Sequence, residues 1–512
     1  MSNTLLLRSL IMYAICAAIA LFVGYEISTW DEMTSFGLLI GVLLLMMVPF
    51  LLRWHHFWLI ASWNTSAMVF FLPGRPTLML TLAACSVLIS VIEHAINQEA
   101  PFIHVRIIFW PLIFLACVVL ATMKLTGGLG LQVAGGSSVG GKRYIFLLGA
   151  FAGYLALTAQ RIPRDKVNRY ATTFLLSPMT GAISDLSLFV GPSAVYYIFL
   201  IFPSTGALEP EVASAAGQEQ FVRFGGIAFA SSAVIYTMLA RYGLRGIFNG
   251  GKLWRAPVFL LLFAISMFGG FRSTLILFVM TCAMLFFLEG LYNSRFMPVL
   301  LSGIALVFVA LIPLAEHLPG SMQRTLSVLP FVKVSHEAEE SAKASSEWRL
   351  QMWKEVLPEI PPHLLLGKGY SIDLVELEKL QTPISGDESE EGAKLAGDYH
   401  NGPLSVIIPF GLGGVLGFLW LIGAGIKVLY NNYKYGDPAF QRFNTYFLAA
   451  YVTKFVFFLS VFGSFSGDLP VFLGIVGMSV AINGGMRIPA RVPQKRVSDA
   501  WKLAQARPSA IA

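Results

Sequence analysis

APVFLLLFAISMFGGFRSTLILFVMTCAMLFFLEG, residues 256–290, is two apolar runs joined by a tight Gly269-Gly270-Phe271-Arg272 connection. Between Ala256 and Leu288 the only charged side chain is Arg272. Runs of this kind have the length and character needed to enter ~30 Å of hydrocarbon. Backbone groups in lipid must pair internally, so both runs are expected to be helices that turn back on each other at the arginine. An arginine so placed costs a few kcal/mol if it lacks a partner, which predicts that Arg272 is paired or solvated.

The same pattern extends outward over almost the whole chain. Of its 512 residues 56% are hydrophobic and only 13% charged, too few to give a protein of this length a charged, water-soluble surface. Apolar runs centre near residues 19, 43, 64, 86, 113, 152, 194, 234, 263, 283, 306, 419, 454 and 477. The expected fold is therefore all-α, a polytopic transmembrane helix bundle of about 14 spans, within a range of 12–14. The run near 64, which contains Asn64 and Thr65, and the run near 194 are the weakest. The first run, Leu10 to Ile27, has no small-residue cleavage site and reads as a retained helix. Cys16, Cys85, Cys117 and Cys282 all fall inside apolar runs, without metal or redox spacing, and read as small buried side chains.

Basic residues assign the sides. Arg161, Arg164, Lys166, Arg169, Arg241, Arg245, Lys252, Arg255, Lys434 and Arg442 fall in one set of alternating loops, with a basic tail from Arg487. The opposite set holds few, among them Arg75, Lys142, Arg143, Arg223 and Arg272. The net charge of +7 is thus an orientation signal rather than a nucleic-acid footprint, and no nucleic-acid partner is expected. Both termini are expected in the cytoplasm. The organisation that follows is transmembrane helices in 1–315, an outer (periplasmic) loop with short helices in 316–402, further transmembrane helices in 403–486, and a cytoplasmic tail in 487–512. The glycine-rich stretch Thr126 to Gly141 lacks a phosphate-loop spacing and reads as a connector. No internal repeat is evident, which counts against a transporter built from inverted halves.

The outer segment carries the polar motifs. His336 to Ser346 (HEAEESAKASS) is acidic and reads as a mobile stretch; a helix is expected to begin at Glu347, capped by Ser345 or Ser346 and ended by Pro358. On it Arg349 and Trp353 lie four apart and share a face. There follow Pro361-Pro362, the turn Gly367-Lys368-Gly369-Tyr370, a second acidic insert from Gly386 to Glu391, and Asp398-Tyr399-His400-Asn401-Gly402-Pro403-Leu404 at the start of the next span. Within the later spans Lys454 is mid-helix without an obvious partner, a place where it could face a cavity.

This order resembles the O-antigen ligase and polymerase family of bacterial membrane proteins. The matching residues are Arg272 with Ser273 at the outer end of a span, then Arg349, Trp353, Pro361 or Pro362, Gly367, Gly369, His400, Asn401 and Leu404. The likeness covers about Ala256 to Tyr430. It implies transfer of a glycan from a polyprenyl diphosphate carrier to an acceptor hydroxyl, on lipid A core in ligases or on another glycan in polymerases. Under that reading His400 is the base, oriented by Asp398 or Asn401, and Arg272 and Arg349 hold the diphosphate. Trp353 and Tyr370 would stack on sugar and Lys368 would assist phosphate binding. Bland readings compete at each position: His400 packing or capping a helix, Arg272 snorkelling to headgroups, Arg349 bridging to Glu347, Trp353 and Tyr370 anchoring, and Lys368 solvated. Asp31 and Glu32 lack a third acidic neighbour, so neither metal nor cofactor is expected. The alternatives to an enzyme are a transporter or flippase of lipid-linked sugars or small solutes, and a non-catalytic partner of a polysaccharide machine.

Overall fold

The computed structural model describes residues 53–72, 75–96, 103–126, 141–186, 198–203, 223–248, 252–294, 312–329, 331–370 and 397–489, with a few scattered positions between 24 and 309. Among the described residues every regular element is helical, and the one β-type pairing is an isolated bridge between Met68 and Thr77. Helical residues 53–62 are followed by α1 (Leu78–Ile96), α2 (Arg106–Leu125), α3 (Lys142–Thr158) and α4 (Val167–Leu176). Next come α5 (Gly225–Phe248), α6 (Arg255–Ser266) and α7 (Arg272–Leu288). Two polar helices, α8 (Gly320–Leu326) and α9 (His336–Val356), precede α10 (Gly402–Tyr435), α11 (Gln441–Ser460) and α12 (Phe465–Asn483).

Five of the described helices, α1, α2, α5, α10 and α12, are long and apolar enough to cross a membrane; α7 and the run Arg255–Gly269 are shorter apolar helices. The protein is multi-pass, and its described residues are all-helical. The runs expected near 19, 43 and 306, and most of the one near 194, lie outside the described residues, as does the acidic insert from Gly386 to Glu391. Near 64 the expectation fails: the helix stops at Ser62 and the chain turns. Polar side chains stop it, since Thr65 Oγ1 donates to Ser62 O at 2.9 Å and Asn64 Nδ2 to Phe174 O at 3.2 Å. Cys85 and Cys117 are exposed, which in apolar helices means the lipid-facing side rather than the core.

The core runs through α1–α3, α5 and α10–α12, with α12 buried along most of its length between its neighbours. One irregularity matters for function. α10 carries Pro409 and bends at Gly411 (φ +58). The bend releases backbone groups, and the turn Leu364–Gly369 docks onto them. Lys368 N donates to Ile408 O at 2.8 Å, Gly369 N to Pro409 O at 3.0 Å, and Leu412 N to Leu364 O at 2.7 Å. Each of these groups, buried unpaired, would cost about 1–3 kcal/mol. A Cβ on Gly367 (φ +80) would meet the Pro409 carbonyl oxygen at 2.1 Å, so the turn needs glycine for both its conformation and its approach.

The acidic stretch is not a loose segment. α9 begins at His336, with Ser335 Oγ accepting from Ala338 N. Glu337 and Glu339 sit in its first turn, where the helix dipole favours them, and Glu339 pairs with Lys343 one turn on at 2.7 Å. Alanine, glutamate and lysine supply the remaining helix propensity, so the helix starts about three turns earlier than its composition implied. It ends at Val356, before Pro358.

Candidate active site

The helix ends around Gly225, Ser266, Arg272, Gly402, Ser460 and Phe465 lie at one end of the bundle, with α8 and α9 packed across them. The α6–α7 turn comes first. Gly270 (φ +68) reverses the chain after the 3-10 turn Met267–Gly269, and Arg272 opens α7. α8 lies over this turn: Arg324 Nη1 donates to Gly270 O at 3.2 Å and Thr325 Oγ1 to Met267 O at 3.1 Å. Gln323 ties α8 to the start of α9 by accepting from Ser335 N at 2.7 Å. α9 then brings Ser346 to Arg272, whose Nη2 donates to Ser346 Oγ at 3.0 Å. Arg349 follows three residues later, on the same face.

Three walls hold His400. Trp348 and Phe462 each meet its ring edge-on, with centroids 5.3 and 5.2 Å away. The third is its own loop, where Nδ1 lies 3.0 Å from the Asp398 carbonyl oxygen and 3.6 Å from Asp398 Oδ1. A carbonyl oxygen can only accept, so Nδ1 carries a proton, and in the neutral ring the lone pair is then on Nε2. The backbone at His400 is left-handed (φ +49), a conformation a non-glycine residue holds only when its surroundings fix it. Trp353 Nε1 helps fix it by donating to Tyr399 O at 2.8 Å. On the other side Asn401 Oδ1 accepts from Leu404 N at 3.1 Å and caps α10, a contact worth about 1 kcal/mol.

Phe462 lies between His400 and Arg349. Its ring touches His400 on one side, and the Arg349 guanidinium lies 5.8 Å from its centroid on another. Burial, and then the neighbouring Arg272, hold the Arg349 guanidinium below its usual range, against a smaller opposing pull from Asp398. His400, Arg272 and Arg349, chosen from the sequence, therefore converge. Trp353 and Asp398 support them through backbone contacts.

The remaining candidates have other occupations. Lys368 Nζ pairs with Glu359 at 3.2 Å. Tyr370 is buried: its N–H donates to Tyr144 Oη at 2.9 Å, and its ring packs on Tyr144 and Phe410 under the Arg143 guanidinium. Asn401 serves the helix cap rather than the imidazole. Lys454 is not alone, since it pairs with Asp468 at 2.7 Å across the α11–α12 hairpin. Sequence reasoning missed Trp348, Phe462, Ser346 and Arg324. Ser346 had a signal, lying one turn before Arg349 on a helical face; Phe462 and Arg324 had none in their local sequence. Among the described residues no three His, Cys, Asp or Glu side chains come together.

No curated protein matches the chain. Residues 257–419, which contain Arg272, Arg324, Arg349, Trp353, Lys368, Tyr370, Asp398, His400 and Asn401, match the family model described as O-antigen ligase, while the first 256 residues, Lys454 and Phe462 lie outside the match.

Proposed function

We propose that the chain is a glycan transferase of the ligase or polymerase type, acting at the His400 end of its helices on the periplasmic face of a bacterial inner membrane. The observation that carries this reading is that His400 and Arg349 meet at Phe462, while Arg272 reaches the same helix through Ser346 and lies beside Arg349. The donor is a glycan on polyprenyl diphosphate. The acceptor is a hydroxyl of lipid A core in the ligase form, or of another glycan in the polymerase form.

The chemistry follows from the parts. His400 Nε2 takes the proton of the acceptor hydroxyl as its oxygen attacks the anomeric carbon. The bond from that carbon to the diphosphate oxygen breaks, and polyprenyl diphosphate leaves with the electron pair. Arg272 and Arg349 meet the charge that grows on the leaving oxygen. The Asp398 carbonyl holds the tautomer, and the strained His400 backbone keeps the ring between its two aromatic walls. Support for the sidedness comes from the opposite end of the bundle, where the basic loops gather: Arg164 reaches Asp437 and Arg442 reaches Arg241 O.

The test is transfer by the purified full chain in nanodiscs, supplied with polyprenyl diphosphate-linked glycan and either acceptor. Transfer that is lost in His400→Ala and in Arg272→Ala is the expected result. Transfer unchanged in His400→Ala removes the base. Movement of the lipid-linked glycan across a sealed bilayer, without transfer to any acceptor, hands the protein to the transporter class.

A further inference from the structure

Arg324 belongs to none of the motifs above, yet it is one of the more unusual charges in the molecule. It sits on α8 with 7% of its surface exposed. Its Nη1 is held by the Gly270 carbonyl, while its buried Nε has no hydrogen-bond partner. Its charged neighbours are Arg223, Arg272 and Arg349. Arg223 packs on the same turn, since a Cβ on Gly270 would lie 3.6 Å from Arg223 Cδ. Arg349 also leaves its Nε unpaired.

An unpaired Nε alone marks nothing, because Arg255 and Arg487 have one too. The Arg255 guanidinium, however, lies 3.8 Å from the Tyr242 ring centroid, a contact that favours its charge. Arg324 has cations around it instead. Burial first, then Arg223, Arg272 and Arg349, push its guanidinium down to about 9. Guanidinium groups keep their proton in proteins, so this opposition is relieved by an anion rather than by deprotonation. The anion that fits must be multiply charged and offer acceptors to several forks at once.

We infer that Arg324 is a third diphosphate-binding arginine, which extends the site beyond Arg272 and Arg349 and gives it preference for a diphosphate over a monophosphate. The inference rests on the proposed diphosphate donor and names a residue that the donor's recognition requires. Gly270 presents its carbonyl to Arg324 from the same turn that launches Arg272. The turn thus sets two guanidinium groups at a fixed spacing, and α9 brings the third through Ser346 and Arg349.

The experiment is direct binding of geranylgeranyl diphosphate and geranylgeranyl monophosphate to the full chain in nanodiscs. It compares wild type, Arg324→Gln, Arg324→Lys and Arg272→Ala. Wild type is expected to prefer the diphosphate. Arg324→Gln is expected to weaken diphosphate binding roughly 10- to 100-fold, with less effect on the monophosphate, as loss of a charge-assisted contact does. Arg324→Lys keeps the charge without the fork and should recover part of the affinity.

A fall in diphosphate preference at unchanged thermal stability is a result that a merely structural arginine would not give. Wild-type affinity and preference in Arg324→Gln, with weakened binding in Arg272→Ala, would overturn the inference and leave the donor reading standing. Should Arg324→Gln fail to fold, wild-type behaviour of Arg324→Lys would overturn it equally. Binding of neither probe by wild type would overturn both readings.

Discussion

The two ends of the helices treat charge in opposite ways. At the Arg272 end, guanidinium groups have other guanidinium groups for neighbours, and Asp398 offers only a weak counter-pull. At the other end Arg164 meets Asp437 at 2.6 Å, Arg442 donates to Arg241 O, and Arg255 donates to Gly246 O while stacking on Tyr242. Glu289 there accepts from Leu244 N and Arg245 N. Beside it Asn432, Asn444, Ser479 and Asn483 close a buried network in which each amide finds a partner. Satisfied groups stabilise; groups left opposed to one another bind. Under the proposed function, the difference separates the part of the molecule that holds the helices together from the part that takes the ligand.

The largest effect belongs to the unsatisfied end. His400→Ala should lower glycan transfer by roughly 10²- to 10⁴-fold, the usual contribution of a positioned base, with no loss of thermal stability. Stability should hold because alanine removes no hydrogen bond that holds another element in place. A melting temperature that drops together with activity would instead make His400 a packing residue between Trp348 and Phe462.

Next is the Lys454–Asp468 pair, which is 16% and 11% exposed and lies just below the loop that carries Phe462. Asp468 Oδ2 also accepts from Ser464 N at 2.9 Å, which braces that loop. Asp468→Ala should cost about 3–5 kcal/mol, because it leaves a largely buried ammonium without its partner. The double variant Lys454→Met/Asp468→Leu should recover most of that loss in a thermal melt. Failure to recover would mean that the brace on Ser464, not the charge, is what matters.

These cases also mark what can be read along the chain and what cannot. Spans such as α1, α2, α10 and α12 are legible because a bilayer demands a local signal, a long apolar run. The run near 64 deceived because hydropathy averages over Asn64 and Thr65, whose side chains end the helix. His336 to Ser346 deceived in the other sense: acidic composition looked like mobility, while Glu339 and Lys343, one turn apart, favour a helix. Asp468 could have been found, since it and Lys454 stand seven residues to either side of Val461 at the hairpin turn. Arg324 could not. Its place depends on how α8 lies across Gly270, and nothing in Ser321-Met322-Gln323-Arg324-Thr325 encodes that docking. The resemblance supplied His400, Arg272 and Arg349 as a set, and the tertiary contacts supplied Phe462 as the ring between them.

At the satisfied end, Asn444→Ala should destabilise the protein by about 1–3 kcal/mol, because the Asn432 carbonyl and both polar atoms of the Asn483 amide lose a partner. Transfer per folded molecule should stay as in wild type. A thermal melt combined with a transfer assay checks both halves. A loss of transfer at full stability would mean that the two ends are coupled, and the division drawn between them would fail.

The smallest effect is expected at Lys368, which tests where the binding end stops. Its backbone N–H, bonded to Ile408 O, secures the turn against the α10 bend, and replacement by alanine leaves that bond in place. Its ammonium is partly exposed and pairs with Glu359 across 3.2 Å. Exposed pairs contribute about 0–1 kcal/mol, so Lys368→Ala should leave melting nearly unchanged and transfer within about two-fold of wild type. The ammonium already has a carboxylate to neutralise it, and so lacks the electrostatic demand that marks Arg324. A ten-fold loss of transfer in Lys368→Ala, with Glu359→Ala raising it, would show that Glu359 holds the lysine away from the donor. The binding end would then extend along the Gly367–Gly369 turn, beyond the three arginines.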